Sequence, residues 1–298
     1  MKSGFIGIIG RPNVGKSTLL NKILGEKIAI TSEKAQTTRN RIKGIYTEIG
    51  KGTEDVQMIF LDTPGIHKPK NKLGNAINET AINTYRGVDV ALLVIDGSKP
   101  FGRGDEHMIS LMKDISVPRI LIINKIDLIS PEEYIDIYEK YMKEDLFDDV
   151  FGISALNGTN VSELIENLKK YMLDGPMYFP DDISTDSPMR FLVSEIIREK
   201  ILMYLEQEIP HGVAVEIEEY DEGDSITRIG AVIICENPRH KSIIIGKGGR
   251  KIKGIGKSAR LEIEELVGTK VFLNLWVKVK DKWRNSDTMI KNLGFKDE

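Results

Sequence analysis

GRPNVGKS, residues 10–17, is the stretch on which the fold turns. It follows the apolar run FIGIIG (5–10) and opens KSTLLNKILG (16–25), whose apolar spacing is helical. Strand, glycine loop and helix in that order fit G-x-x-x-x-G-K-[ST]. In such a loop the backbone N–H groups turn inward on phosphate oxygens, and the helix N-terminus favours negative charge. A glycine turn before an ordinary helix is the plain alternative, and the predicted strand and helix around the motif argue against it. In the phosphate reading Gly10, Arg11, Pro12, Asn13, Val14, Gly15 and Thr18 shape the cradle. Lys16 reaches the β and γ phosphates, and Ser17 offers its hydroxyl to Mg²⁺.

Outward from this loop, continuously apolar runs recur: VQMIFL (56–61), VALLVID (90–96), RILIIN (119–124) and VFGIS (150–154). Runs without alternation read as strands buried on both faces, the mark of a parallel sheet covered by helices. IKGIYTEI (42–49), a GKGT turn and VQMIFL read as a hairpin that adds one antiparallel edge. Helical stretches lie between, such as VSELIENLKKYML (161–173) and SPEEYIDIYEKYMKE (130–144), the latter with a serine cap and proline in its first turn. The expectation is an open α/β sheet with its ligand at the carboxyl ends of the strands.

Three further strand ends carry polar motifs. Asp62 closes VQMIFL, where it serves the magnesium. NKID (124–127) closes RILIIN. Guanine offers N1–H and an amino group on one edge, and the Asp127 carboxylate can accept both, whereas adenine would set a lone pair against it. Asn124 bonds the base and nearby backbone, the Lys125 stem covers the ring face, and the SAL segment, Ser154, Ala155 and Leu156, supplies a backbone N–H to the guanine oxygen. An aspartate or asparagine at a strand end is by itself an ordinary turn former; four motifs at successive strand ends are not.

At 298 residues the chain is about twice a typical domain of roughly 150. The expected division is 1–174, a linker at 175–188 and a second domain at 189–298. GPMYFPDDISTDSP, the linker, loses all periodicity. Net charge is −3, so a cationic site must be local. Cys235 is the only cysteine, which excludes an internal disulfide and fits a reducing compartment; in AVIIC it reads as a buried strand residue. No apolar stretch approaches the ~18 residues of a membrane span, and the opening lacks a secretory signal, so the expected location is cytoplasmic.

After residue 188 the order becomes helix, two strands, two helices, strand and a terminal helix. IIIGKGGRKIKGIGKSARLEIE places G-x-x-G at Gly246, Lys247, Gly248 and Gly249, between two helices. From 237 to 261 there are eight Lys or Arg and no acidic residue: Arg239, Lys241, Lys247, Arg250, Lys251, Lys253, Lys257 and Arg260. Glycines let a sugar-phosphate backbone approach closely, and a KH fold clamps about four nucleotides in this way. His240 lies within reach of phosphate. A solvated basic helix is the bland alternative, while EIEEYDEGD (216–224) reads as an acidic hairpin tip. Trp276 and Trp283 read as packing residues.

The loop, Asp62, NKID and SAL, taken in order, resemble the translation-factor class of P-loop GTPases. That resemblance places a switch threonine in AQTTRNR, where Thr38 is chosen over Thr37 to complete the Mg²⁺ shell beside Ser17 and Asp62. Joined to the KH motif, QTTR, DTPG and KVFLNLWVKV extend the resemblance to the Era family of bacterial ribosome-assembly GTPases, over nearly the whole chain. It implies a switch that binds and hydrolyses GTP to GDP. It further implies binding of 16S ribosomal RNA near its 3′ end, a role in 30S subunit assembly, and peripheral association with the inner membrane; the expected oligomeric state is a monomer. A second domain that docks a protein or a membrane surface is the competing reading, disfavoured by the intact G-K-G-G loop. Lys16, Thr38 and Gly65 are the expected catalytic residues. Many regulatory GTPases follow the D-x-x-G glycine with glutamine, and Ile66 stands there instead. Asn13 is the fourth catalytic candidate, because related GTPases use this loop position to hold potassium.

Overall fold

The computed structural model describes residues 1–32, 34, 37–50, 54–66, 69–84, 87–143, 145–205 and 209–295. The chain divides into two compact units. The first comprises Met1–Ala29, Thr38–Lys68 and Ile77–Asp186; the second comprises Ile30–Thr37, Pro69–Ala76 and Ser187–Glu298. Two short segments from the first half of the sequence therefore fold with the second unit.

The first unit is built on β1 (Lys2–Ile9), β2 (Ile42–Glu48), β3 (Val56–Asp62), β4 (Val90–Asp96), β5 (Arg119–Asn124), β6 (Asp149–Ile153) and the two-residue β7 (Leu173–Asp174). The strand order is β2-β3-β1-β4-β5-β6, with β7 against the start of β1. β1, β3, β4, β5 and β6 run parallel, and β2 pairs antiparallel with β3, which is the expected edge. β3 is buried along its whole length, as unbroken apolar runs require in a sheet covered on both faces. The helices are α1 (Lys16–Leu24), α2 (Lys72–Thr84), α3 (Arg103–Lys113), α4 (Pro131–Met142) and α5 (Val161–Lys169). α4 starts as expected: Ser130 Oγ accepts from Glu133 N, and Glu133 Oε2 accepts from Ser130 N at 2.8 Å. α5 is shorter than its apolar pattern suggested, because the chain leaves the helix after Lys169 and Leu173 pairs with Ser3.

The expected linker is bound along the first unit as far as Asp186. Gln57 Oε1 accepts from Tyr178 N and Phe179 N at 2.8 and 3.0 Å, and Ile45 N donates to Ser184 O. The GKGT turn lies partly in 51–53, outside the described residues.

The second unit contains α6 (Met189–Tyr204), β8 (Ala214–Asp221), β9 (Ile226–Cys235), α7 (Pro238–Ile245), α8 (Arg250–Val267), β10 (Lys270–Val279) and α9 (Asp287–Asn292). β9 lies between β10, parallel to it, and β8, antiparallel to it. Alternate residues of β9, Ile229, Ala231, Ile233 and Cys235, meet Val193, Ile197 and Ile201 of α6 and Ile255, Ala259 and Ile263 of α8 in one core. Cys235 is a packing residue, as expected, and burial raises its pKa.

The two tryptophans differ. Trp283 is fully buried, donates from Nε1 to Gly212 O at 2.9 Å and stacks on Phe295. Trp276 is 47% exposed, so its assignment to packing is corrected. The alternation of β10 turns Val277 inward, and Trp276, like Phe272, falls on the other face. Trp283→Ala should lower the stability of the second unit by about 3–5 kcal/mol, read as a lower urea midpoint in the fluorescence of the remaining Trp276. A change below about 1 kcal/mol would contradict this packing role.

Candidate functional site

Register brings the polar strand ends together. In the parallel pairing Ile8 stands beside Asp62, Asp96 beside Asn124, and Asn124 beside Ile153, so the loop after β1, Asp62, NKID and SAL share one edge of the sheet. Gly15 takes a left-handed φ of 101°, and a Cβ there would lie 2.2 Å from Asn124 Nδ2. Only glycine fits both demands. Asn124 then fastens two motifs, donating from Nδ2 to Val14 O at 2.8 Å and accepting from Ala155 N at 3.0 Å.

Lys16 is buried and its ammonium donates to Gly10 O and Arg11 O at 3.1 and 3.0 Å, which curls it over the loop. Burial lowers its pKa to about 8, opposed by the Asp62 carboxylate. Asp62 is fully buried and its pKa is raised to about 6, by burial first, opposed by Lys16 and by the hydrogen bond from Ser17. That bond runs from Ser17 Oγ to Asp62 Oδ2 at 2.6 Å, and the Thr38 hydroxyl lies 2.9 Å from Ser17 Oγ. Asp62 Oδ1 has no hydrogen-bond partner among the described residues. Two hydroxyls, a carboxylate with a buried oxygen to spare and an adjacent lysine fit Mg²⁺ with phosphate. Both charged forms disfavoured by burial would be favoured once opposite charge arrives. Among the described residues no group of three or more His, Cys, Asp or Glu could hold a metal.

The geometry separates Thr37 from Thr38. Thr37 Oγ1 donates to Lys34 O at 2.6 Å and bonds Ser32 Oγ at 3.0 Å, while Thr38 faces Ser17. Ala35 and Gln36 of the AQTTRNR stretch lie outside the described residues. Lys125, at φ 66°, donates to Asn13 O at 3.1 Å and pairs with Asp96 at 2.5 Å, which braces the loop against β4. Asp127 is exposed on the turn after it. In the SAL segment, expected to give a backbone N–H to the guanine oxygen, Ala155 N donates to Asn124 Oδ1, and Leu156 is exposed. Arg11 is drawn to the side by Asp105 at 2.9 Å. Pro12 sits against Gly65, where a Cβ would approach Pro12 N to 2.6 Å.

Ile66 is 5% exposed and packs with Ile9, Ala81, Leu93 and Met108. It anchors the chain after D-x-x-G to the core. The next residues, His67 and Lys68, are outside the described set.

In the second unit Gly246, Gly248 and Gly249 all have φ between 61° and 73°. Added Cβ atoms at Gly248 and Gly249 would meet nothing within 4 Å, so the loop is open to a ligand backbone. Arg250, Lys253, Lys257 and Arg260 are exposed along one side of α8, at the spacing of successive turns. Lys253, Lys257 and Arg260 border a groove of about 480 Å³ whose other lining residues are Ile252, Gly256, Val271, Phe272, Leu273 and Leu275. Arg239 and Lys247 are also exposed, whereas Lys241 and Lys251 are half-buried. His240 is half-buried too, with Nδ1 in the interior, so its ring is not wholly on the cationic surface. The apolar floor was missed in the sequence. The alternation in KVFLNLWVKV sets Val271, Leu273 and Leu275 on one face of β10, but not which part of that face the neighbouring helix leaves open.

A lysine-closed phosphate loop, a serine–aspartate metal corner and NKID define a P-loop GTPase, and the second unit adds a KH fold. The chain belongs to the GTPase Era family, whose members hydrolyse GTP. It is 54% identical over 296 residues to GTPase Era of Alkaliphilus oremlandii (strain OhILAs), with 99% of each chain covered. It is 52% identical over 300 residues to GTPase Era of Clostridioides difficile (strain 630), covering 100% of this chain and 99% of that one. The family described as 50S ribosome-binding GTPase matches residues 5–125, and the KH domain family matches 208–284. Among solved structures, a variant of Aquifex aeolicus Era bound to GDP.AlF4- is similar at a TM-score of 0.94 and 40% identity, covering 99% of this chain and 100% of that one. Era in complex with MgGDPNP and nucleotides 1506–1542 of 16S ribosomal RNA is similar at 0.95 and 40%, with 99% of each covered. Asp127→Asn should move nucleotide preference from GTP toward xanthosine triphosphate in competition binding; unchanged preference would contradict the role given to this carboxylate.

Proposed function

We propose that the chain is a GTP-driven switch that binds 16S ribosomal RNA near its 3′ end through its KH unit and acts, as a monomer, in assembly of the 30S subunit. The observation that carries this reading is the cationic row Arg250, Lys253, Lys257 and Arg260 beside an apolar groove and an open G-x-x-G loop. Cations neutralise phosphates without regard to sequence, while an apolar floor accepts unstacked bases of a single strand. The description of the matched GTPase family names the 50S subunit, but the solved Era complex holds 16S RNA. The 16S reading is preferred because its support covers both units of the chain. In this reading the GTPase is residues 1–174, the RNA-binding domain is 189–298, and 175–188 joins them.

Lys16 stabilises charge on the transferring phosphoryl group, and Ser17, Thr38 and Asp62 would hold a Mg²⁺ ion that would add to that neutralisation. Gly65 N–H lies with the segment that Ile66 anchors, and water is positioned there by backbone, by another side chain or by a partner, because the buried Ile66 side chain can neither donate nor accept a hydrogen bond. Asn13, an exposed loop residue at φ 65°, would hold a potassium ion that would add positive charge beside the phosphates. Hydrolysis should then be faster in potassium than in sodium, with the difference lost in Asn13→Ala; equal turnover in both salts would overturn the potassium site.

The RNA reading is tested by replacing Lys253 and Lys257 with alanine and titrating a 3′-end 16S oligonucleotide across a range of salt. The slope of log affinity against log salt should fall by about 0.7 for each phosphate that the variant no longer neutralises. An unchanged slope and affinity would place the RNA elsewhere.

A further inference from the structure

The boundary between the two units falls on the peptide bond from Thr37 to Thr38. Within the second unit, the preceding segment is fastened to α6. Thr31 N donates to Glu199 Oε1 at 2.9 Å, and Lys34 Nζ donates to the carbonyls of Leu202 and Leu205 at the helix C-terminus, where a cation is favoured. At Thr37 the fastening becomes ionic and deep. Arg198 is 2% exposed and grips Glu195 with both sides of its fork, Nε to Oε1 at 2.7 Å and Nη2 to Oε2 at 2.6 Å, while Nη2 also donates to Thr37 O. Glu195 is itself buried. Within the first unit, the next residue places its hydroxyl 2.9 Å from Ser17 Oγ.

A peptide group is a rigid plane that runs from Cα of one residue to Cα of the next and includes the carbonyl oxygen. Holding Thr37 O therefore fixes the plane that ends at Thr38 Cα. What remains free between that plane and the Thr38 hydroxyl is little more than φ and χ1, and a β-branched side chain is stiff at χ1. We infer that Arg198, oriented by Glu195, is a positioning residue for GTP hydrolysis: it aims Thr38 at the metal corner through the Thr37 carbonyl. The inference rests on the reading of Thr38 as a magnesium ligand. The fork is suited to this task because Glu195 takes one edge and leaves a direction-fixed N–H for the carbonyl, which a single lysine ammonium cannot reproduce.

A double-mutant cycle between Arg198 and Thr38 tests it in the full chain, with single-turnover hydrolysis of GTP and affinity for GDP as separate readouts. Arg198→Gln should slow hydrolysis roughly 10- to 100-fold, as a misplaced catalytic group does, with GDP affinity little changed. In a Thr38→Ala background the same substitution should add less than about twofold, because the group it positions is gone. Arg198→Lys should restore only part of the rate. Wild-type hydrolysis in Arg198→Gln, or an equal loss in both backgrounds, overturns the inference. If Thr38→Ala hydrolyses GTP at the wild-type rate, the metal reading of Thr38 fails instead, so the two failures are distinct. Should Arg198→Gln leave Glu195 buried without a counter-charge and prevent folding, the Glu195→Gln/Arg198→Gln pair carries the test with the same outcomes.

Discussion

The hydrogen bond from Ser17 Oγ to Asp62 Oδ2, 2.6 Å long and fully buried, is the constraint on which the nucleotide site depends. It ties the first residues of α1 to the end of β3, and parallel pairing sets Asp62 beside Ile8 just before the phosphate loop. With Lys16 beside it, the corner is an ionic arrangement that is poorly solvated by itself: burial pushes the carboxylate up to about 6 and the lysine down to about 8. A divalent ion and phosphates would favour both charged forms together.

Much of this was legible in the sequence because each motif sits at the end of an apolar run, and such ends gather at one edge of a parallel sheet. Gly15 illustrates what only the fold supplies. The motif demands a glycine there, but the reason, a clash with Asn124 across the sheet, needs the tertiary arrangement. Ile66 was the misleading residue. Its position beside D-x-x-G suggested a missing catalytic group, whereas its chemistry states its role directly: it is apolar because it is packed among Ile9, Leu93 and Met108.

In the second unit the element order and the cationic helix followed from periodicity and charge, while the groove floor did not. Val271, Leu273 and Leu275 alternate with Phe272 and Trp276, and strand periodicity alone does not say which face a neighbouring helix covers. The buried ionic row on α6 was equally hidden. Glu195, Arg198, Glu199 and Lys200 look like a solvated helix face in sequence, yet they are 6%, 2%, 0% and 8% exposed. Charges remain buried when each has a partner, and here the partners include the segment 30–37, remote in sequence. Long-range pairing of this kind leaves no local pattern to read.

The account joins a GTPase site to an RNA groove in one chain, and crosslinking the full chain to ribosomal RNA, once with a GTP analogue and once with GDP, tests that most directly. Sequencing the attached RNA should find crosslinks from the α8 face within the 3′-terminal region of 16S, at different yields in the two nucleotide states. Crosslinks spread over unrelated RNA, or the same yield with either nucleotide, would contradict it.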